Sequence, residues 1–100
     1  MVMKRGGCVY IMTNVSYSVF YTGVSANLIK RVDEHKSKLY PNSFTAKYKC
    51  DRLVFYCFYP RIEEAIRAEK QIKAGSRQRK IDLIKEMNPE FKDLYPDLLV

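Results

Sequence analysis

The chain has no run of about 18 apolar residues, which excludes a transmembrane helix. It has no internal repeat and no low-complexity segment. It has only three cysteines, Cys8, Cys50 and Cys57. The odd count argues against a complete disulfide framework, and no two stand at the C-x-x-C spacing of a metal knuckle. Cys8 and Cys57 fall in apolar, strand-like runs and read as small core residues of a reducing compartment. Acidic residues are also scarce: 11 Asp and Glu face 18 Lys and Arg, for a net charge of +7. So large an excess on a short chain points to a polyanionic partner, nucleic acid first, a membrane surface or acidic protein less often.

The first residues, MVMKRGGCVYIM, place Lys4 and Arg5 ahead of a short apolar run, as a secretory leader does. Thr13 and Asn14 interrupt that run and no small-residue cleavage site follows. The segment therefore reads as a first strand, and a cytoplasmic protein is expected.

What the chain does have is apolar mass. Its 100 residues are 47% hydrophobic, with eight tyrosines and five phenylalanines. That suits one compact domain over 1–100, with a core at about 7–90 and a docked, irregular tail at 91–100 that uses Phe91, Leu94 and Leu98. CVYIMT (8–13) and SVFYTG (18–23) predict two strands of a hairpin. The connection between them lacks Asn-Gly or Asp-Gly, which leaves room for a wider loop. Asn27 predicts the N-cap of a helix from Leu28 to Lys38 with Leu28, Val32 and Leu39 on its apolar stripe. Residues 40–49 read as a loop. RLVFYCFY (52–59) is the strongest strand signal, continuous enough to suggest a central strand covered on both faces. A helix follows over 62–74 with Gly75 past its end, then a Ser76-capped helix to Met87, stopped by Asn88-Pro89. The fold class is α+β: a three-stranded antiparallel sheet flanked by helices in the order β-β-α-β-α-α.

Four features point to chemistry. Tyr10 and Tyr21 are expected directly opposite each other on one face of the hairpin. Arg31 and His35 lie one helical turn apart, at the edge of the apolar stripe. A guanidinium there can fork onto a phosphate while an imidazole exchanges a proton. Gly23 is expected to let the chain turn sharply toward the helix. Glu69 stands between Ile66 and Ile72 on the core-facing side of its helix, where a carboxylate is costly unless paired or metal-bound. A lone carboxylate suits Mg²⁺, which keeps most of its waters. Lys73, Arg77 and Lys80 are the candidates for phosphate contacts along the last two helices.

Each feature alone has an ordinary structural reading. Their order and spacing together resemble the GIY-YIG nuclease domain. Cys8-Val9-Tyr10 stands for its first motif and Tyr21-Thr22-Gly23 for its second; Arg31, His35 and Glu69 follow at matching positions. The C-terminal half is similar to small, single-domain bacterial members that are uncharacterised. The resemblance implies hydrolysis of a DNA phosphodiester with one divalent cation, Mg²⁺ or Mn²⁺, held by Glu69. It implies that Tyr21 or Tyr10 helps activate water, that Arg31 stabilises phosphoryl charge and that His35 assists proton transfer. Asn88 matches a polar residue near the site. The chain departs from the pattern at Cys8, in place of glycine, at Val9, in place of isoleucine, and at Val24, where some members have lysine. No appended DNA-binding module is expected, so DNA would meet this domain's own basic face or be delivered by a protein partner. The competing expectation is a non-catalytic nucleic-acid-binding module or an interaction scaffold with the same fold.

Overall fold

The computed structural model describes residues 6–99. Residues 1–5, including Lys4 and Arg5 of the leader-like segment, lie outside the described residues, as does Val100. Three antiparallel strands, β1 (Gly7–Thr13), β2 (Phe20–Ser25) and β3 (Arg52–Tyr59), form one sheet in the order β2-β1-β3. Every residue of β1 is buried. The central strand is thus β1, whereas the apolar continuity of RLVFYCFY favoured β3 in the sequence. β3 is an edge strand whose last four residues are only partly covered. Aromatic side chains there cover the sheet surface without being enclosed.

The two faces of β1 carry different layers. Cys8, Tyr10 and Met12 pack with Leu28 and Val32 of α1 (Leu28–Ser37). Ile11 packs on the other side with Val54, Phe55, Ile72 and Ile84, the last two from α3 (Ile62–Ala74) and α4 (Arg77–Met87). Gly7 sits under α3: a Cβ there would stand 2.4 Å from Ile62 Cδ1 and 2.9 Å from the Ala65 methyl.

The helix caps follow the sequence. Asn27 Oδ1 accepts from the Lys30 N–H (3.2 Å), and Ser76 Oγ accepts from the Arg79 N–H (3.1 Å). Lys38 closes α1 in the left-handed region, φ 55°. Leu39 then lies past the helix end and is exposed, not on the stripe where periodicity placed it. Gly75 ends α3 with φ −78°, so no left-handed glycine is required. Two short helices escape the sequence pattern: α2 (Phe44–Lys47), capped by Ser43, and α5 (Tyr95–Leu98).

The tail docks against the start of β3. Leu94 N–H donates to the Leu53 carbonyl (2.7 Å), and Asp93 Oδ1 accepts from the Leu53 N–H (3.0 Å). Lys36 bridges Asp93 Oδ2 and the Asp51 carbonyl. Burial pushes the Asp93 carboxyl up, but Lys36 and two backbone N–H donors outweigh it and hold the group below its usual range. Leu94 and Leu98 pack on the Tyr10 layer and Phe91 on the Ile11 layer. Among the described residues no helix is long and apolar enough to cross a membrane.

Candidate functional site

The hairpin sets the two tyrosines in place, but not in the expected register. Tyr10 pairs with Gly23, and Tyr21 pairs with Met12. The reason lies in the connection, residues 14–19. Asn14 Oδ1 accepts from the Ser18 and Val19 N–H groups (2.9 and 3.2 Å), its amide donates to Ser18 Oγ (2.8 Å), and Tyr17 takes φ 57°. Strand pairing resumes only at Phe20. Tyr10 and Tyr21 still share a face as diagonal neighbours, with ring centroids 6.3 Å apart.

That register gives Gly23 a different role from the one expected. It lies inside β2 with no positive φ. A Cβ at Gly23 would stand 2.5 Å from both Cζ and the hydroxyl of Tyr10. The glycine therefore makes room for the Tyr10 ring across the strand pair rather than turning the chain.

Under that ring is a buried polar chain. The Tyr10 hydroxyl lies 2.9 Å from His35 Nε2, and His35 Nδ1 lies 2.8 Å from Thr45 Oγ1. Tyr10, His35 and Thr45 are all buried. Burial is the main force holding the Tyr10 phenol protonated; the neighbouring Tyr21 adds to it and the Arg31 guanidinium opposes it. Burial and then the charge of Arg31 push His35 down to about 4, with Glu34 opposing, so the imidazole is neutral at neutral pH. A neutral imidazole donates from one ring nitrogen and accepts at the other, so it can link the Tyr10 and Thr45 hydroxyls in either tautomer.

Above this chain the site opens. Tyr21 is half-buried, with its ring 5.5 Å from His35 and 5.9 Å from Phe44. Arg31 Nη1 donates to Glu34 Oε1 at 2.9 Å and the guanidinium lies 5.8 Å from the Tyr40 ring centroid. Desolvation pushes the Arg31 pKa down, but the Glu34 bond and the tyrosines more than reverse it. A groove of about 240 Å³, lined by Ser25, Asn27, Lys30 and Arg31 among others, opens beside the guanidinium.

Glu69 comes from the opposite layer. Ile62, Ala65, Glu69 and Ile72 span about 80° of the α3 helical wheel, so the carboxylate rides on the inward stripe, as its spacing predicts. Its side chain is only 15% exposed, and its partner is Lys73 Nζ at 3.1 Å. The contacts that join Tyr10, Tyr21, Arg31 and His35 into one cluster do not include it. The two layers meet at β2, an edge strand against which α3 also packs.

The donor chemistry at Glu69 fits a hard, mostly hydrated cation. Among the described residues no group of three or more His, Cys, Asp or Glu converges on a point. One shielded carboxylate held by a single mobile ammonium suits Mg²⁺ or Mn²⁺, which binds through one or two carboxylates and water.

The remaining candidates have structural partners. Arg77 donates to the Tyr17 and Ser18 carbonyls (2.7 and 3.0 Å) and lies over the Phe20 ring, 4.7 Å from its centroid. Lys80 Nζ donates to the Gly75 carbonyl (2.8 Å). Asn88 is buried; its amide donates to the Val54 and Lys92 carbonyls and its oxygen accepts from the Lys92 N–H. In this structure Asn88 staples the tail to β3. Thr45 and Glu34, which hold His35 and Arg31, carry no signal in the sequence beyond ordinary polarity. Cys8 and Cys57 are free, and burial raises the Cys8 thiol to about 12, so it is inert packing in the place of a motif glycine.

Comparison with known proteins fits this geometry. The family model described as the GIY-YIG catalytic domain matches residues 6–82. A UPF0213 protein of Syntrophus aciditrophicus (strain SB) is 37% identical over 82 residues, which cover 82% of this chain and 92% of the relative. The solution NMR structure of a UPF0213 protein from Bacillus halodurans superposes with a TM-score of 0.56 at 28% identity, covering 88% of this chain and 92% of its own. Motif, fold and relatives agree, and the chain belongs to the GIY-YIG catalytic-domain family.

Proposed function

We propose that this protein is a metal-dependent, endonuclease-like hydrolase of DNA phosphodiester bonds. The observation that carries this reading is the Tyr10–His35–Thr45 hydrogen-bond chain lying directly beneath Tyr21 and Arg31. Five polar groups meet at one point, three of them buried and hydrogen-bonded, and only Tyr21 and Arg31 face solvent.

Burial supports a division of roles. Tyr21 is the tyrosine that meets the attacking water or a phosphate oxygen. Tyr10 and His35 are positioning residues: the phenol and imidazole fix the Tyr21 ring and the guanidinium. Arg31 exchanges Glu34 for the phosphoryl oxygens and stabilises their developing charge. Glu69 would hold the divalent cation, which when bound polarises the phosphate and offsets charge on the leaving oxygen. Lys73, exposed and paired with Glu69, makes a phosphate contact once Glu69 takes metal; Lys80 supports it at the α3–α4 turn.

Cleavage of plasmid and branched DNA is the test, with Mg²⁺ or Mn²⁺ and with wild type beside Glu69→Ala. The expected result is cleavage by the wild type alone. A wild type that cuts no DNA form in either metal contradicts the proposal. The binding-only alternative predicts salt-sensitive binding that survives both Glu69→Ala and Arg31→Ala.

A further inference from the structure

The segment between α1 and β3 carries a feature that hydrolysis alone does not use. Tyr40, Phe44 and Tyr48 are 54%, 44% and 52% exposed. Large aromatic rings in solvent on so small a protein mark a binding surface when they are contiguous. Of these, Phe44 and Tyr48 are contiguous. The Phe44 ring lies 4.6 Å from Tyr48 and 5.9 Å from Tyr21, so a stack runs from the site outward along α2. Tyr40 covers Arg31 on the other side.

The charge around the stack is mostly positive, with Asp51 the one acid on the groove beside Tyr48. Residues 36–50 contain Lys36, Lys38, Lys47 and Lys49 and no Asp or Glu. Lys38, Lys47 and Lys49 are exposed. Lys49 also borders a groove of about 250 Å³ shared by Tyr48 and the β1–β2 connection at Asn14, Val15 and Ser16. An apolar protein surface offers nothing to these lysines. A polyanion carrying flat, apolar faces matches both features. Bases in a duplex are already stacked on one another; only an unpaired base can lie against a side chain without breaking the helix.

We propose that Phe44 and Tyr48 form a stacking platform for an unpaired base beside the scissile phosphate, with Lys47 and Lys49 holding the adjoining backbone. This rests on the reading of Tyr21 and Arg31 as the phosphodiester site and gives its substrate class: single-stranded DNA, or DNA unpaired at the cut. A base on Phe44 is one ring removed from Tyr21, which puts its own phosphate within reach of Arg31. Thr45 ties the platform to the chemistry, because the helix that presents Phe44 also holds His35.

The platform is tested by binding without metal, so that cleavage plays no part. Fluorescence anisotropy in EDTA compares a labelled oligothymidylate of about 15 nucleotides with a blunt duplex of the same length. For Phe44→Ala/Tyr48→Ala, strand affinity falls about tenfold or more and duplex affinity changes less than about twofold. Phe44→Tyr/Tyr48→Phe, which keeps both rings, retains strand binding. Lys47→Gln/Lys49→Gln weakens binding and flattens its salt dependence. Thermal melts confirm that each variant is folded. Unchanged strand binding by the double alanine variant overturns the platform, as does an equal loss on strand and duplex. Sedimentation showing a wild-type dimer that this variant dissolves assigns the rings to a second copy and also overturns it. Aromatic-dependent strand binding by a wild type that cuts nothing keeps the platform and removes the nuclease reading.

Discussion

The candidate site has two halves built on opposite physical terms. The inner half, Tyr10, His35 and Thr45, is buried, neutral and fully hydrogen-bonded. The outer groups, Tyr21 and Arg31 above that chain and Glu69 on the opposite layer, are partly open, and Arg31 and Glu69 carry charge held by replaceable partners, Glu34 and Lys73. Groups of the first kind are costly to disturb and cannot meet a large substrate. Groups of the second kind are open to one, and Arg31 and Glu69 would each give up one ion pair to meet it. The difference teaches that the two motif tyrosines, alike in sequence, are not alike in surroundings: Tyr10 is enclosed and Tyr21 is partly open, which is why we propose that one is scaffold and the other contact.

Breaking the outer half should have the largest effect on chemistry. Arg31→Ala is expected to lower the cleavage rate by about 10²–10³-fold while leaving thermal stability near wild type. The check is single-turnover kinetics beside a melt. Breaking the inner half should have the largest effect on folding. Gly23→Ala drives a methyl into the Tyr10 ring, and overpacking of this kind costs about 1–3 kcal/mol, read by urea denaturation.

The inner half also predicts a pH dependence. The His35 pKa is about 4 in the folded chain and near 6.5 when unfolded. Between those values the unfolded chain binds the proton and the folded chain does not, so stability falls as pH drops from about 6.5 to about 4, by at most about 3 kcal/mol. His35→Gln should flatten that slope in pH-dependent denaturation. A slope unchanged by the substitution would place its origin elsewhere. The smallest effect concerns the outer half: Lys73→Ala frees the Glu69 carboxylate and should tighten Mn²⁺ binding about twofold, measured by paramagnetic relaxation.

Much of this was legible in the sequence, and what was not has a common cause. Asn27, Ser76 and the apolar spacing of α1, α3 and α4 locate three helices because capping and periodicity are local. Glu69 is legible for a related reason: it shares a helical face with Ile62, Ala65 and Ile72, although Ile66, which the sequence placed on that stripe, is 37% exposed. The hairpin register was not legible. It depends on the Asn14 side chain folding the connection and on Arg77 reaching Tyr17 and Ser18 from the far end of the chain. Those same long-range bonds give Arg77, which stays exposed, two carbonyl partners that its charge alone did not suggest. α2 was hidden because four residues show no period, yet it supplies Thr45 and Phe44. Gly23 was read as a turn because glycine usually is one; its role as space for Tyr10 needs the register first.

The division between the two halves is tested most directly by comparing Tyr10→Phe with Tyr21→Phe. Each removes one hydroxyl. Tyr10→Phe leaves His35 Nε2 buried without its partner and should cost about 1–3 kcal/mol of stability. Tyr21→Phe should melt with the wild type but cut DNA at least about tenfold more slowly. The reverse pattern, a stable Tyr10→Phe and an unstable but active Tyr21→Phe, would contradict the account.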